Sequence, residues 1–193
     1  MRKLTVDDIA DLRAYERERD AFRDHVIALK RRRRVALGDL LTITFENTDT
    51  MRFQVQEMAR AEKMLTDEAI EHEVATYNEL IPDAGELSGT LFVELTSDEL
   101  LREWLPKLVG VQRSIAFEVG GQTIPAIPED EERLTREDIT TTVHYLKFRF
   151  SAEQQAAFTA AEAIVRIVVD HPEYRAAVEL TEEQRSELAR DFD

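Results

Sequence analysis

The chain contains no cysteine. Disulfides, thiolate nucleophiles, zinc ribbons and cysteine-held iron–sulfur clusters are therefore excluded from its chemistry. Glycine and proline are scarce, at six and five residues, and neither of the Gly-rich phosphate-binding patterns G-x-x-x-x-G-K-[ST] and G-x-G-x-x-G occurs. The G-x-S-x-G elbow and the H-E-x-x-H zinc helix are missing too. Among the four histidines none has a glutamate three positions before it, so the paired Glu-x-x-His motif of a ferritin-like di-iron centre is excluded. Glu68 and His72, at i,i+4, come nearest. No apolar run approaches the roughly 18 residues that span a bilayer, and MRKLTVDDIADL is not a signal peptide. A cytoplasmic location and no membrane partner are expected. Basic residues are few against acidic ones, 25 to 40, for a net charge of −15. That field repels phosphate backbones and makes nucleic acid a poor partner.

Hydrophobic content of 43% and charged content of 34% over 193 residues fit one folded domain with a full core. A helix-rich part, residues 1–85, is expected to pack on a β-rich part, residues 86–193. Within the first part lies DTMRFQVQEMARAEKMLTDEAIEHEVATYNELIP, residues 49–82, which reads as two helices broken at Thr66–Asp67. At about 100° per residue, Met51, Val55, Met58 and Leu65 fall within about 40° of one line, and Glu62 falls among them. A carboxylate in an apolar stripe must be paired or protonated, because burying it alone costs several kcal/mol. The second helix repeats the stripe with Ile70, Val74, Tyr77 and Ile81, and His72 projects away from it.

Elsewhere, Thr5 with Asp7 and Asp8 opens a short helix. A longer one covers about Tyr15–Arg32, with Tyr15, Phe22, Val26 and Leu29 as its stripe and Arg19 beside them. It ends in Lys30-Arg31-Arg32-Arg33-Arg34, which complements the helix macrodipole. The same run offers a surface for an acidic partner. Val35–Glu46 reads as β structure interrupted at Gly38-Asp39, with Leu41, Ile43 and Phe45 alternating against Thr42, Thr44 and Glu46 as in a half-buried strand. Leu87–Leu95 is the next strand. Thr96/Glu99, Ser151/Gln154 and Thr181/Gln184 fit capping boxes at helix starts. Pro106 should kink or shorten the first of those helices.

Gly120-Gly121 suits a hairpin turn between Val111–Val119 and Gln122–Ala126. The acidic run Glu129–Glu132 reads as an exposed connection. Thr142–Phe150, with His144, Leu146, Phe148 and Phe150 on one face against Tyr145, Lys147 and Arg149, completes the β pattern with Ile164–Val169 and Tyr174–Leu180. The expected fold class is α+β, a mixed, largely antiparallel sheet of about eight strands with N-terminal and interspersed helices.

Two candidate constellations emerge. His144, His171, Asp170 and Glu62 supply the imidazole and carboxylate ligands that Fe(II), Mn(II) or Zn(II) would take, if the chain brings them together. His144 also reads as a core histidine, and His171 before Pro172 as a turn residue. The second constellation is Arg52, Gln56, Glu57, Arg60 and Glu62 as the floor of a small polar pocket. Tyr77 and Asn78 form its wall, and the arginines recognise a carboxylate or phosphate in a ligand-binding or sensor role. Against it, Glu62 paired with Arg19 or Arg60 would serve only to dock the helices.

The segments QVQEMARAEK (54–63), YNELIPD (77–83), HYLKFRF (144–150) and DHPEYR (170–175), together with RKLTVDDI (2–9), resemble the bacterial domain-of-unknown-function 3501 family over nearly the whole chain. The resemblance brings no catalytic residue. It implies a context: members tend to be encoded beside a rubrerythrin-like protein and an iron–sulfur oxidoreductase. The expectation that follows is an accessory role in bacterial redox or peroxide metabolism, with any cluster belonging to the partner and no cofactor intrinsic to this chain.

Overall fold

A computed structural model describes residues 1–129 and 139–192. The expected α+β class is what forms, with nine strands among the described residues and every pairing antiparallel. They divide between two sheets instead of filling one. The first runs β1 (Arg34–Leu37), β2 (Leu41–Glu46), β3 (Glu86–Val93), β7 (Val143–Arg149) and β6 (Ile127–Glu129). The second runs β5 (Gln122–Pro125), β4 (Ile115–Val119), β8 (Val165–His171) and β9 (Tyr174–Glu179). Residues 130–132 of the acidic run lie outside the described residues; Glu129 ends β6.

The sheets face each other across one apolar core. Phe117 of β4 meets Phe148 of β7 edge-to-face at 4.8 Å and Phe45 of β2 at 5.6 Å. Such aromatic pairs add about 0.5–1.5 kcal/mol beyond the area they bury. The hairpin between β4 and β5 turns at Gly120-Gly121 with both φ angles positive, which the primed two-residue turn requires.

The outward face of the first sheet is not left to solvent. Thr42, Thr44 and Glu46 of β2 are as buried as Leu41, Ile43 and Phe45, so the half-buried expectation for this strand is corrected. A helical layer supplies the cover: α1 (Leu12–Arg33) runs against β2, followed by α2 (Thr48–Glu62) and α3 (Asp67–Asn78). This layer holds a second, smaller core of Leu4, Met51, Val55, Val74 and Ile81.

One expectation about this layer is overturned. Glu62, placed on the stripe of α2 by its angle, is exposed, and Leu65 is 83% exposed. The buried stripe is Met51, Val55 and Ala59, and it stops one turn earlier. Lys63 in the left-handed conformation ends the helix there, so the correct azimuth finds no neighbour at that height. The basic run at the end of α1 has one member in the interior. Arg33 is fully buried, donating from Nε to the Phe45 carbonyl at 2.9 Å and from Nη2 to the Glu46 carbonyl at 3.2 Å. Its remaining donors reach Glu187 at 3.3 Å and both oxygens of Asp191. Arg32 pairs with Glu187 and Arg34 with Glu94.

Two of the three capping boxes form as expected, at α5 (Ala152–Thr159) with Ser151 and Gln154, and at α6 (Glu182–Leu188) with Thr181 and Gln184. The third is displaced. Ser97, not Thr96, caps α4 (Asp98–Lys107) by accepting from the Leu100 amide at 3.2 Å, and Leu100 offers no side-chain acceptor in return. Pro106 lies in the last turn of α4, and the helix ends at the next residue.

Candidate functional site

The polar residues of α2 are spent on holding α2 in place. The Gln56 amide works as a clamp on the segment before α1, accepting from the Ala10 amide at 3.0 Å and donating to the Ala10 carbonyl at 2.8 Å. Glu57 accepts from the Tyr15 hydroxyl at 2.6 Å and takes both arms of Arg19 at 2.8 Å each. Arg19, and next Tyr15, hold the Glu57 carboxyl below its usual range against the opposing effect of burial. Burial first, and then Glu57, pushes the Tyr15 phenol up. Arg60 pairs with Glu16 of α1, and the Arg52 guanidinium lies over the Phe22 ring at 4.4 Å. Arg52, Gln56, Glu57 and Arg60 thus join α2 to α1 and to the chain before it, and Glu62 beside them is exposed.

The histidines and Asp170 have hydrogen-bond or ion-pair partners of their own. His144 projects from β7 into the sandwich beside Ile43 and Leu91, with its Nε2 3.0 Å from the Thr140 hydroxyl. His171 ends β8 in the opposite sheet. Its Nε2 lies 3.0 Å from the Val109 carbonyl, and its Nδ1 accepts from the Glu173 amide at 3.3 Å, so both ring nitrogens are engaged. Asp170 is exposed and pairs with Arg175 at 2.9 Å. Among the described residues no three histidine, aspartate or glutamate side chains form a group able to hold one ion.

Tyr77 and Asn78 do line a cavity, but with partners other than the arginines. It is a cleft of about 770 Å³ between the end of α3 and the outward face of β7. Asn78 builds one wall by pinning the N-terminal segment: its side chain accepts from the Leu4 amide at 2.7 Å and donates to the Leu4 carbonyl at 2.9 Å. That places Lys3 on the rim, where its ammonium donates to the Ile81 carbonyl at 2.6 Å and pairs with Asp83 at 3.0 Å. Lys3 holds the Asp83 carboxyl below its ordinary range. Tyr145 and Lys147 enter from β7, two residues apart and so on one face. Lys147 pairs with Glu129 at 2.8 Å while its side chain keeps only 13% exposure. Tyr77 faces them from α3; burial, and then Glu73 and Tyr145, push its phenol up.

Sequence reasoning therefore found two cleft residues and missed Lys3, Asp83, Glu129, Tyr145 and Lys147. The alternation along HYLKFRF did place Tyr145 and Lys147 on the face opposite His144. What it did not supply was the helix lying across that face.

The comparisons with known proteins agree with this architecture. No curated protein matches the chain. A crystal structure of a novel protein of unknown function from Burkholderia pseudomallei K96243 superposes with a TM-score of 0.91 at 32% sequence identity, covering 100% of both chains. The family model described as "Protein of unknown function (DUF3501)" matches residues 3–192. The chain belongs to the DUF3501 family.

Proposed function

We propose that this chain is a binding protein whose ligand is a small molecule seated in the cleft between α3 and β7, with an anionic group of the ligand at Lys147. One observation carries the reading. Three separate stretches of chain bring two ammonium groups and two phenols to a concavity of ligand size, where pockets for small molecules run about 300–1,000 Å³. On this reading the anion site is Lys147 instead of Arg52 and Arg60, which lie against Phe22 and Glu16. A thermal-shift screen of small metabolites tests it. A ligand at one hundred times its dissociation constant stabilises by about 2.7 kcal/mol, enough to move the melting temperature by several degrees. The shift should vanish in Lys147→Met. A screen in which every active compound works equally on Lys147→Met would remove the proposal.

The family likeness sets the context we propose for that binding: an accessory protein of cytoplasmic redox or peroxide metabolism, acting with a rubrerythrin-like protein or an iron–sulfur oxidoreductase. The cysteine-free sequence is compatible with this division of labour, since any cluster then belongs to the partner. Co-purification at low salt, where surface ion pairs are least screened, is the test. Reproducible failure to retain either partner would count against the redox setting without touching the cleft.

A further inference from the structure

Lys147 is not a free cation. It is paired with Glu129 at 2.8 Å, and across the cleft Lys3 is paired with Asp83 at 3.0 Å. An incoming anion must displace a carboxylate from an ammonium group and leave that carboxylate uncompensated. This costs more as the site is shielded from water, and the Lys147 side chain is already 13% exposed. The balance of charge works in the same direction: Glu79 joins Asp83 and Glu129 in the lining, so among the described residues acids outnumber the two lysines there. A ligand with a single negative charge therefore meets a net acidic wall on a chain of net charge −15.

A ligand carrying both charges escapes this penalty. Its carboxylate replaces Glu129 at Lys147, and its ammonium takes up the released Glu129 or the neighbouring acids. One ion pair is exchanged for two, and no charge is stranded. The Tyr77 and Tyr145 rings in the lining add aromatic faces to which an ammonium is attracted, the more so as the contact becomes dry.

Resting on the proposed binding role of this cleft, we infer that its ligand class is dipolar: a small zwitterion of the free amino acid type, held by exchange of the Lys147–Glu129 ion pair. The test is calorimetry of the full chain with the free α-amino acids and γ-aminobutyrate, and with the N-acetyl and carboxamide derivative of each compound that binds. At least one zwitterion should bind. Removing either of its charges should weaken binding about tenfold or more, the loss of one charge-assisted contact. The reversed pair Lys147→Glu with Glu129→Lys keeps an ion pair at the site and should keep the melting temperature while losing the ligand. If an N-acetyl or carboxamide derivative binds as tightly as its parent, the dipolar class is wrong although the cleft still binds. If no zwitterion binds, the class is likewise overturned, and the cleft is judged separately by the Lys147-dependent shifts of the metabolite screen.

Discussion

Arg33 and Asp191 stand 158 positions apart in the chain, yet their side chains meet fork to fork with neither exposed to solvent. The pair fastens the end of α1 to the last turn of the chain, and the Phe45 and Glu46 carbonyls with Glu187 take the remaining guanidinium donors. Burial pushes the Asp191 carboxyl up and Arg33 pulls it down, with burial the stronger. Removing one partner strands a charge in the interior. Asp191→Asn and Arg33→Met should each lower the unfolding free energy by about 3–5 kcal/mol in denaturant titration. The double variant Arg33→Met with Asp191→Leu should lose clearly less than the sum, because no charge is left unpaired.

Glu57 gives the protein an acid-sensitive joint between α1 and α2. Its folded carboxyl titrates below the ordinary value of 4.5, so its contribution is complete above that value and is lost as pH falls through the folded one. At neutral pH, Glu57→Gln should cost about 1.5–3 kcal/mol, nearer the lower end for a side chain 26% exposed. The melting curves of wild type and variant should converge as the pH is lowered below 4.5. A constant gap across that range would assign the loss to packing instead of charge.

Gly38 joins β1 to β2 with φ of +73°, and a Cβ there would lie 2.3 Å from the Tyr174 hydroxyl. That hydroxyl donates to the Leu37 carbonyl at 2.7 Å and accepts from the Leu40 amide at 3.2 Å, locking the turn onto β9. Gly38→Ala meets the left-handed penalty of about 1–2 kcal/mol and loses part of the lock, worth about 1 kcal/mol per hydrogen bond. Tyr174→Phe isolates the second term, and chemical denaturation of both variants separates strain from the missing contacts.

Period and capping made much of this architecture readable. The alternation in Thr142–Phe150 gave β7 and its two faces, and Ser151/Gln154 and Thr181/Gln184 gave the starts of α5 and α6, since these signals act within a few residues. The division of the strands into two sheets was not readable, because register across a core is set by partners far along the chain. Glu62 failed for a related reason. Its angle on α2 was right, but burial also needs a neighbour at that point along the axis. Arg33 shows the reverse error: a run of five basic residues reads as a surface, and only distant Glu187 and Asp191 make one of them interior. The cleft was half visible. Tyr77 and Asn78 belonged to a recognised polar wall, while the opposing wall came from β6, β7 and the N-terminal segment.

Glu62 supplies a direct check of that correction. With its side chain exposed, Glu62→Ala should change stability by no more than about 0.5 kcal/mol, whereas a carboxylate buried in an apolar seam would give a change several times larger. Equilibrium urea unfolding distinguishes the two.

The central claim is that Lys147, in the cleft of Tyr77, Asn78 and Tyr145, is where a small molecule is held. Isothermal titration of the strongest compound from the metabolite screen into wild type and Lys147→Met, at matched folded concentration, tests it most directly. One-to-one binding to wild type, weakened about tenfold or more in the variant, is the predicted result. Equal affinity in the two proteins would contradict it.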